Sequence, residues 1–374
     1  MKKRFPITLG DIASRLHVSP VTVSKALRDQ PDISKETTIR IKILALEMGY
    51  IPDYTARNLA SNNTHTIGVV IPKIAHSFFS SVIEAIYDAA HEQGYEIILA
   101  VSQEDASREL QHLHTLISMR VEGIIITVSQ QTKDYTFFHR VKEFDIPLTF
   151  MDRAVDVEGF SKVLADDRGG AYAATEQAVN AGYSRIAHFS GYPHTSIGRE
   201  QLLGFESAMK DNNIEVNPEW VIQTGFSEQD GYDGFLRLYR SGNMPECIFT
   251  VSFPVALGIY RAVRELKLTI PDDIDLISFG NCTLDNVLAP SLTYIDQSTG
   301  ELGRAALNLT IKNIQEKDKF VPQTITLPTR LVLRGTCLPS IRRNIPSSPV
   351  SIDKSGVILG YIPTAGSRGK TRKN

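Results

Sequence analysis

Short apolar runs alternate with longer amphipathic segments along most of the chain, and this alternation predicts a mostly parallel α/β body. The predicted strands are TIGVVIP, YEIILAV, EGIIIT, IPLTFM, RIAHFS, ECIFTV and DLISFG. The predicted helices cover residues 79–92, 108–119, 171–180, 201–212, 229–239 and 255–266. The stretch DRAVDVEGFSKVLADD interrupts the series, so we expect two doubly wound subdomains with a cleft at the carboxyl ends of their strands.

The first fifty residues follow a different pattern, that of three short helices. Each helix has its own capping signal. The signals are Thr8 with Asp11 before LGDIASRL, Ser19 with Pro20 opening PVTVSKAL, and Ser34 and Gly49 on either side of residues 35–48.

Two of these helices are joined by the tight turn HVS, which is typical of a helix-turn-helix domain. The second helix places Val23, Ala26 and Leu27 inward and leaves Val21, Thr22, Ser24 and Lys25 to face outward. In such a domain the outward face enters the major groove of DNA. The alternative is a small helical bundle that only packs, which would not require Val21 and Thr22 to be exposed beside Lys25.

Composition and charge indicate a class of binding partner and a cellular compartment. The chain has 374 residues, 42% hydrophobic and 22% charged, as in a soluble protein. It shows neither a membrane-spanning run nor an apolar leader, and its three cysteines fit neither a disulfide framework nor a zinc cluster, so we expect a cytoplasmic protein without membrane contact. Residues 1–62 hold ten Lys and Arg against six Asp and Glu, which favours a polyanionic partner for the head.

No sequence motif for catalysis is found. The chain lacks a GxGxxG or Walker loop, an HExxH motif and a GxSxG elbow, so we expect no enzyme, no cofactor and no metal. Asp166 and Asp167 lie at a strand-to-helix junction, where helix capping is the expected role.

The segment GYIPDYTARNLAS stands between the head and the body and contains about a turn and a half of helical pattern. Such a helix is too short to be stable alone. The tail, residues 338–374, is rich in Pro, Ser, Gly and basic residues and is predicted to be disordered.

The chain strongly resembles the LacI/GalR (lactose and galactose repressor) family of transcription factors. The stretches that carry the resemblance are ITLGDIASRLHVSPVTVSKALRDQPDIS, MGYIPDYTARNLAS, RVEGIIIT, IPDDIDLISFGN and LVLRGTC. The resemblance covers residues 7 to 337. It implies an all-α helix-turn-helix head (1–50), a hinge helix (51–63) and an α/β body like periplasmic sugar-binding proteins (64–337). The N-subdomain is expected near 64–162 and 296–322, and the C-subdomain near 163–295 and 323–337.

The resemblance also implies which residues contact DNA. Pro20 and Val21 would select bases, and Leu59 would wedge into the minor groove beside Ala56 when two hinge helices form. An ordinary apolar contact with the body is the alternative for Leu59. The complete expected set is Thr8, Ser19, Pro20, Val21, Thr22, Ser24, Lys25, Tyr50, Ala56, Arg57, Asn58 and Leu59.

A regulatory ligand, or effector, is implied for the cleft. The expected effector residues are Phe78, Phe79, Ser129, Asp152, Arg153, Arg199, Gln201, Phe253 and Asn281. Three charged contacts of sugar-responsive members are missing here, at Phe253, Gln201 and Gly280. The Phe pair could equally pack in the core, and the effector could be a sugar, another metabolite or absent.

The sequence therefore predicts a homodimeric repressor that binds a pseudo-palindromic operator in double-stranded DNA and responds to a small molecule, most simply a sugar or its derivative. A tetramer is also open. The alternative is a cytoplasmic solute-binding protein whose head does not read DNA sequence.

Overall fold

The computed structural model describes residues 7–51, 64–280 and 287–338, and the chain divides into two units, Met1–Thr64 and His65–Asn374. Some predictions therefore lie outside the described residues. They concern the hinge residues Ala56, Arg57, Asn58 and Leu59, the effector residue Asn281, and the tail beyond Leu338.

The first unit consists of the three predicted helices, α1 (Leu9–Leu16), α2 (Pro20–Leu27) and α3 (Lys35–Met48). The capping signals are confirmed: Thr8 and Asp11 form a capping box, and the Ser19 and Ser34 hydroxyls accept hydrogen bonds from backbone N–H groups in the first turns of α2 and α3. Gly49, with φ of 69°, ends α3. The buried core of this unit is Ile12, Ala13, Val23, Ala26, Ile41 and Ala45.

The second unit contains two six-stranded sheets. The strands of the first sheet are β1 (Thr66–Ile71), β2 (Glu96–Val101), β3 (Gly123–Ile126), β4 (Leu148–Met151), β5 (Ser161–Ala165) and β11 (Thr324–Leu327). They pair in the order β11-β5-β4-β3-β1-β2, and every pairing is parallel. The helices of this half are α4 (Ser77–Glu92), α5 (Ala106–Ser118), α6 (Thr136–Val141) and α11 (Thr299–Glu316).

The second sheet repeats this architecture. Its strands are β6 (Ile186–Ser190), β7 (Val221–Gln223), β8 (Cys247–Thr250), β9 (Asp275–Phe279), β10 (Thr293–Asp296) and β12 (Arg330–Val332). They pair in the order β12-β10-β9-β8-β6-β7, with only β12 antiparallel to its neighbour. The helices of this half are α7 (Asp167–Asn180), α8 (Ser196–Asp211), α9 (Glu228–Ser241) and α10 (Phe253–Glu265).

The fold class is thus confirmed, and two of the three expected subdomain boundaries shift. Strand β5 lies inside the stretch that predicts a break and pairs with β4, so the first half extends to Ala165, slightly beyond the expected boundary near residue 162. Strand β11 pairs with β5 and belongs to the first half, although residues from 323 onward were assigned to the second. Edge strands such as β11 are only partly buried, so their hydrophobic pattern is weak. Among the described helices, none is both long and apolar enough to cross a membrane.

Candidate functional site

Loops from both halves of the body line a cavity that is partly open to solvent. Small-molecule ligands commonly bind in such concave sites between two subdomains. The first half contributes His76, Ser77, Phe78, Phe79, Asp152 and Arg153; the second contributes Ile197, Gln201, Phe226, Val251, Ser252, Phe253 and Gly280; Gln297 lies where the chain crosses between them. The cavity occupies the predicted cleft, since Asp152 and Arg153 follow β4, Val251 follows β8 and Gly280 follows β9.

Asp152 occupies a strained position directly after β4. Its φ is 65°, and the Arg153 N–H donates to the Met151 carbonyl over 2.7 Å, which closes a three-residue turn. Backbone strain of this kind collects at functional sites. The carboxyl group is buried, and burial raises the pKa of Asp152 to about 7, against the opposing effect of the Arg153 charge.

Arg153 is held by a buried ion pair. Its Nη1 lies 2.9 Å from Oε1 and 3.1 Å from Oε2 of Glu104, and neither side chain is more than 10% exposed. The Gln130 N–H also donates to Glu104, over 2.8 Å. The guanidinium carbon lies 4.3 Å from the centre of the Phe226 ring, so this ion pair of the first half contacts an aromatic side chain of the second.

His76 adds no charge to the cavity at neutral pH. Burial, with the nearby Arg153 charge as the second cause, lowers the pKa of His76 to about 4. Arg153 is therefore the one cationic side chain among the described residues of the cavity wall near pH 7.

The second half presents Gln201 and Gly280. Gln201 Nε2 donates to Asp167 Oδ1 over 3.0 Å, and Gln201 Oε1 has no hydrogen-bond partner within the part of the chain that the structure describes. Burial is the largest cause that raises the pKa of Asp167 to about 8. Gly280 has φ of 91°, a conformation that glycine adopts without strain.

Six of the expected effector residues meet at this cavity: Phe78, Phe79, Asp152, Arg153, Gln201 and Phe253. Two do not line it, and these expectations need correction. Ser129 is buried elsewhere, with its N–H donating to Glu109. The Arg199 side chain is 42% exposed and contacts Glu200 and Asp156 instead.

Four residues at or behind the cavity wall were not among the predicted site residues: His76, Phe226, Gln297 and Glu104. Gln297 directly follows β10, so its position at a strand end could have identified it as a site residue. Phe226 follows β7, which was not predicted as a strand. Glu104 gave no signal, because it reaches the cavity only through Arg153.

The head presents an exposed N-terminal face on α2. Val21 is 63% exposed, Ser19 and Pro20 are exposed, and Thr22 and Ser24 are half-buried. Lys25, expected to face DNA, forms an ion pair with Asp32 and lowers the pKa of that carboxyl group.

Two other expected contact residues also have structural roles in the head. Tyr50 packs against the head core, and Thr8 is engaged in the capping box. Its hydroxyl donates to Asp11 Oδ2 over 2.7 Å.

Two family profiles match this chain. One, described as bacterial regulatory proteins of the lacI family, matches residues 8–53, and the other, a periplasmic binding protein-like domain, matches residues 175–337. The chain belongs to the lacI family. A similar curated relative is the HTH-type transcriptional repressor PurR of Actinobacillus pleuropneumoniae serotype 3 (strain JL03), 29% identical over 328 residues, which are 87% of this chain and 97% of the relative.

Solved structures of lacI-family proteins show the same fold. The lac repressor dimer bound to operator and the anti-inducer ONPF matches with a TM-score of 0.79 at 24% identity, covering 89% of this chain and all of that one. A LacI family regulator from Enterococcus faecium with bound ribose matches with a TM-score of 0.63 at 28% identity, covering 73% and 99%. This lacI-family chain is a DNA-binding transcriptional regulator and not an enzyme, as the sequence predicted.

Proposed function

We propose that the protein is a cytoplasmic repressor that binds a two-fold-symmetric operator as a dimer and whose DNA affinity is controlled by a small molecule in the cleft. The observation that carries the proposal is the cavity lined from both halves of the body. A ligand that contacts both halves favours their closed arrangement and thereby shifts the equilibrium between two conformations.

The DNA-binding part of the proposal rests on α2. Its exposed N-terminal residues, with Val21 in the centre, would contact base edges, and Val21 would discriminate through its methyl groups. Lys25 would exchange its contact with Asp32 for a contact with phosphate. Two heads related by symmetry would read two half-sites. The hinge residues Ala56, Arg57, Asn58 and Leu59 keep their proposed role in the minor groove.

The effector part rests on the chemistry of the cleft. Phe79, Phe226 and Phe253 offer aromatic surface, and Asp152 and Gln201 offer hydrogen-bond acceptors. Both features suit a sugar or sugar derivative, and the similar regulator from Enterococcus faecium was solved with ribose. Effector binding would raise or lower the affinity for the operator, and operator binding would change the affinity for the effector by the same factor.

The test is a selection of binding sites from random duplex DNA, followed by salt titration of the selected site. We expect a palindromic site and a steep loss of affinity with salt, because several phosphates are neutralised. Val21→Ala should change the selected bases, while Ile39→Ala, which alters an exposed apolar residue on α3, should not. Weak binding without sequence preference would instead indicate a solute-binding protein whose head does not read DNA.

A further inference from the structure

Several buried polar atoms of residues that line the cavity have no hydrogen-bond partner among the described residues. They are Arg153 Nε, Gln201 Oε1 and His76 Nδ1, and the first two belong to residues that are 5% exposed or less. Buried polar groups without partners are costly, so atoms left unpaired around a cavity indicate a ligand that pairs with them. Arg153 Nε is a donor and Gln201 Oε1 an acceptor, and hydroxyl groups satisfy both because each donates and accepts.

Asp152 adds a second acceptor. Its buried carboxylate makes no hydrogen bond within the described residues and faces the same cavity. A carboxylate accepts hydrogen bonds from hydroxyl groups and repels phosphate. The apolar surface of Phe79, Phe226 and Phe253 completes a wall that suits the C–H face of a ring.

One feature of the cavity favours an anion. Helices α4 and α10 both begin at its wall, neither has a side-chain cap, and N–H groups at helix N-termini attract negative charge. Arg153 would reinforce that attraction if its charge were free. Glu104 prevents this, because both of its carboxylate oxygens lie within 3.1 Å of Arg153 Nη1 and the pair is shielded from solvent.

We propose, as an extension of the effector role proposed above, that the cleft binds an uncharged polyhydroxylated ring and that Glu104 excludes the phosphorylated forms of that ring. Glu104 does not line the cavity and acts through Arg153, so it is a positioning residue. It fixes the guanidinium against Phe226 and compensates its charge, which leaves Arg153 as a hydrogen-bond donor to hydroxyl groups and not as a receptor for a phosphate dianion.

The test compares neutral sugars with their phosphates on the full chain. Ribose with ribose 5-phosphate and glucose with glucose 6-phosphate are titrated at constant ionic strength by calorimetry, after thermal-shift screening. In the unmodified protein, at least one neutral sugar should bind, about tenfold or more tightly than its phosphate. In Glu104→Gln the preference should fall by about tenfold or reverse, because the Arg153 charge becomes available.

Two further variants separate specificity from folding. Glu92→Gln removes a carboxylate from an exposed ion pair with Arg304 and should leave the preference unchanged. Glu104→Asp keeps the negative charge and should retain the preference for the neutral sugar. This holds even if Glu104→Gln lowers thermal stability. A mere loss of structure in Glu104→Gln would weaken both members of a sugar pair and would not strengthen phosphate binding.

Three results would overturn the inference: a phosphate that binds the unmodified protein as tightly as its neutral partner, an unchanged preference in Glu104→Gln, or no binding of either neutral sugar. None of these results bears on the repressor proposal, which is tested by selection of an operator. Conversely, failure to select an operator would leave the measured sugar preference intact.

Discussion

The two walls of the cavity share an architecture and differ in chemistry. The wall from the first half carries Asp152 and Arg153, with Glu104 behind them, whereas the wall from the second half has no charged side chain among the described residues. Phe226 and Phe253 dominate the second wall. Equivalent positions at the ends of parallel strands can therefore differ in electrostatics, with charged side chains on one side and only neutral side chains on the other.

Replacement of Asp152 should affect ligand binding most. Asp152→Asn removes a charged acceptor, and hydrogen bonds to charged groups contribute about 1.5–3 kcal/mol, so affinity for a neutral sugar that binds should fall by about 10- to 100-fold. Calorimetry measures the change. Asp156→Asn, with a side chain 77% exposed outside the cavity, serves as the control. Equal effects of the two variants would refute the assignment of polar recognition to the first wall.

A smaller effect is expected on the second wall. Phe253→Leu keeps an apolar side chain but loses the aromatic face, which is worth about 1 kcal/mol, or roughly fivefold in affinity. Phe144→Leu, at an exposed position on the surface, is the matched control. If Phe253→Leu weakened binding more than Asp152→Asn, the division of roles between the walls would have to be reversed.

The ionisation of Asp152 gives the comparison a pH dependence. Because its pKa is about 7 in the fold and the ligand's hydroxyl groups prefer the carboxylate, affinity should decrease as the pH falls below 7, by at most about tenfold per unit. Binding near pH 7 should also release protons, which calorimetry in buffers of different ionisation enthalpy detects. Asp152→Asn should abolish both effects, and their persistence in that variant would assign them to another group.

The smallest effect concerns Asp167, behind the second wall. Its pKa is about 8 in the fold against 3.8 ordinarily, so the folded state holds the proton more tightly. The stability contribution is fully present below pH 3.8 and is lost as the pH rises towards 8. Asp167→Asn should therefore raise Tm at pH 8 by about 3 °C and change it little at pH 4. An equal shift at both pH values would mean that ionisation of Asp167 is not responsible.

The fully buried strands and the capped helices could be predicted from the sequence because their signals are local. TIGVVIP and ECIFTV are nearly continuous apolar runs, and α1 and α2 have side-chain caps that the sequence shows directly. Strands β7 and β12 escaped prediction because each has three residues, too few to establish a period.

The site was predictable only where a residue follows a recognisable strand or motif. Asp152 and Phe253 do so, whereas Glu104 depends on a contact with Arg153 across 49 positions of the chain. The cysteines show the same limit. Cys247 and Cys337 are free and buried, and their Sγ atoms lie 3.9 Å apart, although 90 positions separate them in the sequence.

The late return of the chain to the first sheet has a consequence for synthesis on the ribosome. Helix α11 packs against β3, β4 and β5, and β11 closes the edge of the same sheet, yet both come from residues 299–327. The first half cannot complete its fold while the earlier residues emerge, so it waits for the second half to be translated. A ribosome that stops before residue 299 would release a head able to fold attached to a body without its covering helix.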